Sequence, residues 1–572
     1  MKKIFKKSQV FTLLICLFIS IATGINAQSD TIQTDVPALK DVFANDFYIG
    51  CLLSYAHVGF PSDPYVPGQS NVVAPNGGNL IKFHMNSMSP GNWMKAAYIV
   101  DISASASAYN AAGTQEERDS VDVNPIVNFN GNIIAQLNWA QRQGFTFRGH
   151  TLVWHNQTPG TAFFRTGYSN FGPYLTKEKM TKRMDNFIKE VIRLLHEGWP
   201  GLLTAMDVVN EAVNDNGTDR SSNNEWYTVI GDISYVGEAF AAARRHTVTY
   251  GETQIKLYYN DYNTHTPAKA DGIVRICQPI FEAGYLDGIG MQDHDQMTSP
   301  TADQWIASYN KFTPICTEIS VTELDVNPGS GNPSPAILQT QANQYAQLFK
   351  CFVDRSYFSG RGKLISVSKD GLNDEWAFVR NASLWTDLNK CKPAFYAVVD
   401  VGQNYNALDS LIAEVDSLDE NNYTPESWAI FISALNSAII AMTQNYSHSV
   451  SAADALRSAR DDLELAIAGL EEISTDISIA KGDFPERYSL SQNYPNPFNL
   501  TTHINYTVPV TGFISLKAYN LLGQQIATLY EGVKQPGNYV VAFNAENLAG
   551  GVYLYQLKTD KFVETKKLIL QK

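Results

Sequence analysis

Two hydrophobic patterns alternate regularly between about residues 40 and 402 of the 572-residue chain. Short β-like apolar runs are separated by longer segments of helical periodicity, such as Met180–Leu195 and Gly237–Arg245. Eight such units predict an α/β fold, a (β/α)8 barrel of the TIM type. The predicted strands are Phe47–Leu53, Leu80–Asn86, Thr146–Trp154, Ala205–Asn210, Ile255–Tyr259, Gly288–Met291, Glu318–Thr322 and Leu364–Ser368.

Two glutamates follow apolar runs of this segment. Glu211 comes directly after the run Ala205–Asn210, and Glu323 comes directly after Glu318–Thr322. The carboxyl ends of parallel barrel strands meet at one rim, where catalytic groups lie. Two carboxylates that face each other across a sugar-sized gap can cleave a glycosidic bond, because one donates a proton while the other attacks or activates water. The pair therefore predicts a glycosidase active site.

The amino-terminal segment predicts export. A basic head at Lys2–Lys7, an apolar stretch from Val10 to Ile25 and the small residue Ala27 form the pattern of a secretory signal peptide, residues 1–27. We expect no later segment to be long and apolar enough to cross a bilayer, and so no membrane span in the mature protein. The net charge of −14 argues against a nucleic acid as a partner.

Residues 405–473 show helical periodicity alone and predict a three-helix bundle. Apolar residues recur at helical spacing over Leu408–Leu418, Thr424 and Pro425 open a second helix, and Ser451 caps a third. The segment resembles the small FIVAR module of extracellular bacterial proteins, for which we expect a spacer role. The residues that carry this resemblance are Leu418–Glu420 and Tyr423–Trp428.

Residues 483–572 contain short alternating runs separated by turn residues, which predict a small β-sandwich. Three motifs occur in it in order, Gln492–Asn499, Gly550–Tyr553 and Lys567–Leu570. The segment resembles the type A carboxy-terminal sorting domain of the type IX secretion system. This resemblance implies a Bacteroidetes-type bacterium, export by the type IX machinery and an enzyme that is secreted or held at the cell surface.

Further polar residues end the other predicted strands of the barrel. They are Arg148–His155 and Gln157 on the third run, Asn260–Asn263 on the fifth, Gln292 and His294 on the sixth, and Asp325 beside Glu323 on the seventh. Over residues 40–402 this series resembles glycoside hydrolase family 10, the retaining endo-β-1,4-xylanases. The resemblance implies a secreted enzyme that hydrolyses internal linkages of xylan, or of a related β-1,4-linked polysaccharide, by double displacement.

The same resemblance implies the catalytic roles. Glu323 matches the nucleophile, Glu211 the acid/base, and Asn210 the residue that holds the nucleophile or the sugar 2-hydroxyl. His294 supports the nucleophile and is itself oriented by Asp325. Since Glu323 must be ionised and Glu211 protonated, we expect hydrogen-bond donors at Glu323 and a raised pKa at Glu211. Retention of configuration predicts carboxyl groups roughly 5–5.5 Å apart.

Substrate-binding residues follow from the same resemblance. Hydrogen bonds and stacking on the glycone side are expected of Asn92, Lys95, His150, Trp154 and Gln157. Three further positions complete the expected set, namely Asn263, Gln292 and Trp376.

Two positions depart from the family pattern. Gly91 in Pro90–Lys95 stands where the family has a glutamate, and Asp370 stands where the eighth strand usually ends in Trp-Gly. They predict an altered glycone pocket, in which either Trp376 or Phe378 supplies an aromatic ring. Two alternatives therefore stay open, a weakened barrel that only binds glycans at the cell surface and a related retaining β-1,4-glycanase.

A metal site is the competing interpretation of the rim histidines. His150 and His155 are five residues apart on a strand end, so their side chains point to opposite faces, which is poor chelating geometry. The five cysteines after residue 27 are widely spaced and include no Cys-x-x-Cys pair. We therefore expect neither a metal nor a cofactor, and the sequence leaves disulfide pairing open.

Overall fold

The computed structural model describes residues 32–53, 77–329, 331–374, 377, 379–473 and 485–571. The predicted signal peptide, residues 1–27, and Trp376 lie outside the described residues. The chain forms two compact units, one up to Glu471 and one from Glu472.

The first unit contains a closed barrel of eight parallel strands. Each strand pairs with the next, and the eighth pairs with both the seventh and the first. The predicted (β/α)8 barrel is thereby confirmed. The strands are β1 (Tyr48–Leu53), β2 (Ser87–Pro90), β3 (Thr146–Gly149), β4 (Leu203–Asn210), β5 (Lys256–Asp261), β6 (Gly288–Met291), β7 (Glu318–Asn327) and β8 (Leu364–Lys369).

Helices surround the barrel, and several of them pack against its strands. In the longest of those that precede β4, Lys177–Gly198, the Thr176 hydroxyl accepts a hydrogen bond from the Lys179 N–H and caps the amino end. The helices up to β8 are α1 (Leu39–Val42), α2 (Gly77–His84), α3 (Ala96–Ile99), α4 (Ile102–Ala111), α5 (Gln115–Val123), α6 (Gly131–Gln143), α7 (Lys177–Gly198), α8 (Glu225–Ile230), α9 (Tyr235–Tyr250), α10 (Pro267–Glu282), α11 (Ala302–Phe312) and α12 (Pro335–Val353).

The second predicted strand, Leu80–Asn86, is wrong. Most of this segment belongs to α2, and β2 follows it. The buried side chains are Leu80, Ile81 and His84, whose spacing places them on one face of a helix. The strands of this barrel are instead buried at nearly every residue, as in Ser87–Pro90 and Gly288–Met291.

Among the other strands, the third and the seventh differ most from their predicted lengths. The third run divides into β3 and a short strand, Val153–Trp154, which pairs with β4. The strand β7 continues to Asn327 because the segment His294–Gln296 pairs with its end. Glu323 therefore lies within β7, and Asp325 lies opposite His294.

A helical hairpin follows the barrel, and the last helix of the barrel segment continues into this region without interruption. The helix α13 (Pro393–Val415) runs through the predicted boundary at 402–405, and α14 (Pro425–Thr443) and α15 (Ala452–Ala468) pack after it. Polar contacts join the hairpin to the preceding helices. Arg460 Nη1 donates to Asn404 Oδ1 on α13 at 2.6 Å, and Asn343 Nδ2 on α12 donates to the His448 carbonyl at 3.0 Å.

The helix α14 contradicts one expectation. It has 19 residues and a mean hydropathy of 1.3, so by length and composition it is long enough and apolar enough to cross a membrane. The expectation that no such segment follows the signal peptide is wrong. In this structure α14 packs against α15 and buries Phe431, Ala438 and Met442.

We predict that Phe431→Ala lowers the free energy of unfolding of the first unit by about 3–4 kcal/mol, because the ring is buried and its loss leaves a cavity. Ile430 is the matched control. It lies on the same helix, is 65% exposed, and its replacement by alanine should change stability by less than about 0.5 kcal/mol. Thermal and denaturant unfolding measure both, and equal effects of the two substitutions would contradict the packing of α14.

The second unit contains two antiparallel sheets around one core. The strands are β9 (Ser489–Leu490), β10 (Thr501–Val508), β11 (Gly512–Tyr519), β12 (Gln525–Lys534), β13 (Gly537–Asn544), β14 (Gly551–Lys558) and β15 (Val563–Leu570). Their order is β9-β10-β13 in one sheet and β12-β11-β14-β15 in the other. Alternate residues such as Ile504, Tyr506, Leu516 and Leu557 are buried between them, which confirms the small β-sandwich.

Candidate active site

A cleft of about 740 Å³ opens at the carboxyl ends of the barrel strands. Both glutamates line it, and their side chains are only 12% and 14% exposed for Glu211 and Glu323. The other predicted site residues that line it are Asn92, Lys95, Trp154, Gln157, Gln292 and His294.

The backbone at Glu211 is held in the left-handed region, with φ of 57°. This conformation costs a non-glycine residue about 1–2 kcal/mol, so the surroundings must enforce it. The Glu211 N–H donates to the Asn260 carbonyl at 2.9 Å, the Ala212 N–H donates to the Tyr259 hydroxyl at 2.9 Å, and Arg220 Nε donates to the Glu211 carbonyl at 2.7 Å. These contacts fix the turn that follows β4.

Three N–H groups donate to the Glu211 carboxylate. Trp154 Nε1 reaches Oε2 at 3.0 Å, while Gln292 Nε2 and Asn210 Nδ2 reach Oε1 at 3.0 and 3.2 Å. His155 Nδ1 lies 3.9 Å from Oε2. The carboxylate is therefore held in one orientation at the edge of the cleft.

Glu323 has a different set of partners. Asn260 Nδ2 donates to Glu323 Oε1 at 3.0 Å, and His294 Nε2 lies 3.4 Å from Oε2. Asn260 Nδ2 also donates to Asn210 Oδ1 at 3.0 Å. A chain of amides thus connects the two carboxylates, from Glu323 through Asn260 and Asn210 to Glu211.

His294 lies between two carboxylates. Its Nδ1 is 3.5 Å from Asp325 Oδ1, on the side opposite Glu323. Burial alone would lower the pKa of His294, but hydrogen bonds with Asp325 and Glu323 raise it to about 11. The imidazole is therefore a cation at neutral pH, with a carboxylate on each side.

The surroundings keep Glu323 ionised. Burial alone would raise the pKa of Glu323, but the hydrogen bond from His294 and the positive charges of His150, His294 and Lys95 outweigh burial and lower the pKa to about 2. The expected donors at Glu323 are thus present. An ionised, partly desolvated carboxylate is suited to attack an electron-poor carbon.

Lys95 and its neighbours form one side of the cleft. Lys95 Nζ donates to Asn92 Oδ1 at 2.9 Å and to Gln157 Oε1 at 2.8 Å, and it lies 4.6 Å from the centre of the Trp154 ring. Burial lowers the pKa of Lys95, while the negative charges of Glu323, Glu211 and Asp370 oppose that effect. This side offers polar groups and an indole face to a sugar.

Three expected residues lie behind or beside the cleft. Asn210 is buried and contacts Glu211 rather than Glu323. His150 is buried, and its Nδ1 lies 2.9 Å from Asp207 Oδ2. Asn263 follows β5 in the left-handed region, with Nδ2 3.4 Å from Asp215 Oδ2.

Two residues that had no predicted role contact predicted site residues. Asn260 donates to Glu323, and Asp207 accepts hydrogen bonds from both Arg148 and His150. Asn260 directly follows the predicted fifth strand, Ile255–Tyr259, and was named there without a role. Asp207 lies within an apolar run, Ala205–Asn210, where a buried carboxylate requires a partner.

Three side chains have the spacing of a possible cation site. Atoms of His294, Asp325 and Asp370 that could bind a metal lie within 4.8 Å of one another. A histidine binds a metal as the neutral imidazole. Hydrogen bonds with the two carboxylates beside His294 instead raise its pKa to about 11.

The two departures from the family pattern both line the cleft. A Cβ at Gly91 would lie 2.8 Å from the Leu53 carbonyl oxygen, too close for any side chain unless the backbone moves. Asp370 directly follows β8, and its N–H donates to the Leu324 carbonyl at 3.1 Å. The predicted aromatic replacement, Trp376 or Phe378, lies outside the described residues.

Comparisons with known proteins agree with this geometry. The profile of Glycosyl hydrolase family 10 matches residues 38–401, and that of the secretion system C-terminal sorting domain matches residues 492–571. The chain is 31% identical to a putative endo-1,4-beta-xylanase of Caldicellulosiruptor saccharolyticus, over 55% of this chain and 98% of the relative. It is also 31% identical to endo-1,4-beta-xylanase Y of Acetivibrio thermocellus, over 69% of this chain but only 34% of that longer relative.

Solved structures show the same barrel. The Clostridium thermocellum endo-1,4-beta-D-xylanase 10B, complexed with xylohexaose, is 29% identical with a TM-score of 0.54, over 65% of this chain and 68% of that one. The intracellular xylanase of Thermoanaerobacterium saccharolyticum is 27% identical with a TM-score of 0.51, over 64% of this chain and all of the other. With its barrel, its two cleft glutamates and a profile match across residues 38–401, this chain belongs to glycosyl hydrolase family 10.

Proposed function

We propose that this protein is a secreted retaining endo-β-1,4-xylanase. The observation that supports it best is the pair Glu211 and Glu323, which line one cleft in different hydrogen-bonding environments. Family membership and the xylanase names of its relatives support xylan as the substrate. The separation of roughly 5–5.5 Å between the two carboxyl groups stays a prediction.

In the first step Glu323 is the nucleophile. Its carboxylate attacks the anomeric carbon of the sugar on the glycone side, and the bond from that carbon to the glycosidic oxygen breaks. Glu211 gives its proton to the departing oxygen, which leaves as a hydroxyl of the shortened chain. The products of the step are a covalent glycosyl ester on Glu323 and an ionised Glu211.

In the second step Glu211 is the base. It takes a proton from a water molecule, whose oxygen attacks the anomeric carbon while the bond to Glu323 breaks. The three N–H groups that donate to Glu211 stabilise the charge that it carries at this stage. Two inversions at the same carbon retain the configuration, and both carboxyl groups return to their starting states.

The activity test uses wild-type protein on xylan, β-1,4-glucan and mannan. We expect release of reducing sugar from xylan, with the β-anomer of the product formed first in proton NMR spectra. Binding to xylan without release would favour the glycan-binding alternative. Preferred release from glucan or mannan would favour another glycanase of the family.

We predict that His294→Ala moves the acid limb of the pH profile of kcat/KM upward by about one unit or more. Glu323 must be ionised to act, and His294 holds its pKa near 2, so removing the imidazolium raises that pKa. Activity is then lost at a higher pH as the solution is acidified. The control is His503→Ala in the second unit, and an unmoved acid limb in His294→Ala would contradict this role.

We further propose export through the type IX secretion system of a Bacteroidetes-type bacterium. The sorting-domain match over residues 492–571 supports this route. The test compares the fraction of enzyme outside the cell for the full chain and for a chain that ends at residue 473, expressed in such a host. Equal export of both would contradict the proposed role of the second unit.

A further inference from the structure

The peptide unit that follows Glu211 is held at both of its ends. Arg220 Nε donates to the Glu211 carbonyl at 2.7 Å, and the Ala212 N–H donates to the Tyr259 hydroxyl at 2.9 Å. Glu211 itself has a φ of 57°, in the left-handed region that a residue with a Cβ atom disfavours. The two contacts therefore hold a strained turn in place, directly beside the side chain proposed as the acid/base.

The Tyr259 hydroxyl is itself held by a carboxylate. Since its oxygen accepts from Ala212, the hydroxyl directs its own proton to Asp261 Oδ2, which lies 2.7 Å away. Burial and the negative charge of Asp261 raise the pKa of Tyr259, so the hydroxyl keeps the proton that it donates. Ala212, Tyr259 and Asp261 are at most 1% exposed, and water therefore has little access to this chain of contacts.

Asp261 is fixed by two further donors. Lys269 Nζ on α10 lies 2.9 Å from Asp261 Oδ1, and the Tyr262 N–H donates to the same oxygen at 2.9 Å. Burial raises the pKa of Asp261 to about 6, against the opposing charge of Lys269, so the carboxylate is ionised at neutral pH. An ionised acceptor strengthens the hydrogen bond from Tyr259. The position of the hydroxyl is therefore set by β5 and α10, and not by the turn that it contacts.

We propose that Tyr259 is a positioning residue for the acid/base: its hydroxyl holds the Ala212 N–H and thereby keeps the Glu211 carboxyl where the departing glycosidic oxygen can take its proton. The inference rests on the proposed xylanase function and adds a residue that acts through Glu211. Tyr259 is 0% exposed, so it does not contact the substrate itself. Without the hydroxyl the buried Ala212 N–H loses its acceptor, which favours a change in the conformation of the turn.

The test uses Tyr259→Phe on two aryl β-xylobiosides, one with 2,4-dinitrophenol and one with phenol as the leaving group. The value of kcat/KM reports the first step, in which phenol needs a proton from Glu211 and dinitrophenol does not. We expect kcat/KM to fall about 10- to 100-fold on the phenyl substrate, because a small displacement of a catalytic group is costly. On the dinitrophenyl substrate we expect a change of less than about threefold.

The matched control is Tyr168→Phe. Tyr168 is 3% exposed, and its hydroxyl donates to the carbonyls of Val121 and Asp122 at 3.0 and 3.2 Å. The substitution also removes a buried hydroxyl that contacts backbone, but this backbone belongs to α5 and not to the turn after β4. A general loss of stability lowers both activities alike, so the ratio of the two kcat/KM values should stay at its wild-type value in Tyr168→Phe.

Equal losses on the two xylobiosides in Tyr259→Phe, or no loss on either, would overturn the inference. Inactivity of the wild type on xylan and on both xylobiosides would instead overturn the proposed function. A crystal structure of Tyr259→Phe decides the inference without turnover. We expect the Glu211 carboxyl to leave its position 3.0 Å from Trp154 Nε1, and an unchanged carboxyl would overturn the inference.

Discussion

Replacing Glu323 with glutamine is expected to lower kcat on xylan and on activated aryl xylosides alike, by roughly four to six orders of magnitude. An amide cannot form the glycosyl ester, so the first step fails whatever the leaving group. The hydrogen bond from Asn260 at 3.0 Å can be kept if the amide oxygen takes the place of Oε1, so the fold and substrate binding should persist.

Steady-state kinetics on both substrates and calorimetric binding of a xylan oligosaccharide measure this effect. The control is Glu197→Gln, since Glu197 is an exposed partner of Arg193 on α7 and lies outside the cleft lining. Residual activity of Glu323→Gln within tenfold of the wild type would remove Glu323 as the nucleophile.

Replacing Glu211 with alanine should separate the two substrates. Xylan needs a proton on its departing oxygen, so we expect kcat to fall by about two to four orders of magnitude, the usual contribution of general acid catalysis. An aryl xyloside with a good leaving group needs no proton in the first step and should still form the glycosyl ester. The second step should then be slow, because no base activates water.

A burst of released phenol followed by slow turnover is the expected signature, measured by stopped-flow absorbance. Mass spectrometry should find the chain heavier by one xylosyl group during the slow phase. Trp154→Phe is a useful comparison, since it keeps an aromatic ring, though a smaller one, and removes the N–H that donates to Glu211 Oε2 at 3.0 Å. Equal losses on both substrates, with no burst, would contradict the acid/base role of Glu211.

Most of the barrel could be predicted from the sequence because its strands are continuous apolar runs with polar residues directly after them. Gly288–Met291 matches the observed β6 at both ends. The failure at Leu80–Asn86 has a physical cause, since periodicity alone does not distinguish a short buried strand from a short buried helix.

The placement of Glu211 and Glu323 in one cleft was predictable, because both come after apolar runs of the barrel. Contacts between side chains of different strands were less predictable. Asn210 was expected to hold the nucleophile or the sugar 2-hydroxyl. In the structure Asn210 donates to Glu211, and Asn260, one strand further round the barrel, donates to Glu323. Such pairings depend on which strands are neighbours in space, and single-sequence patterns do not record that.

The uninterrupted helix α13 has a mechanical consequence. Its 23 residues span roughly 35 Å and share one hydrogen-bond ladder from the last βα unit into the hairpin. The helix is continuous at this junction, so we expect the hairpin and the barrel to move together as one rigid body. A molecule that binds α14 or α15 therefore also fixes the orientation of the cleft, and with it the angle at which a polysaccharide strand enters.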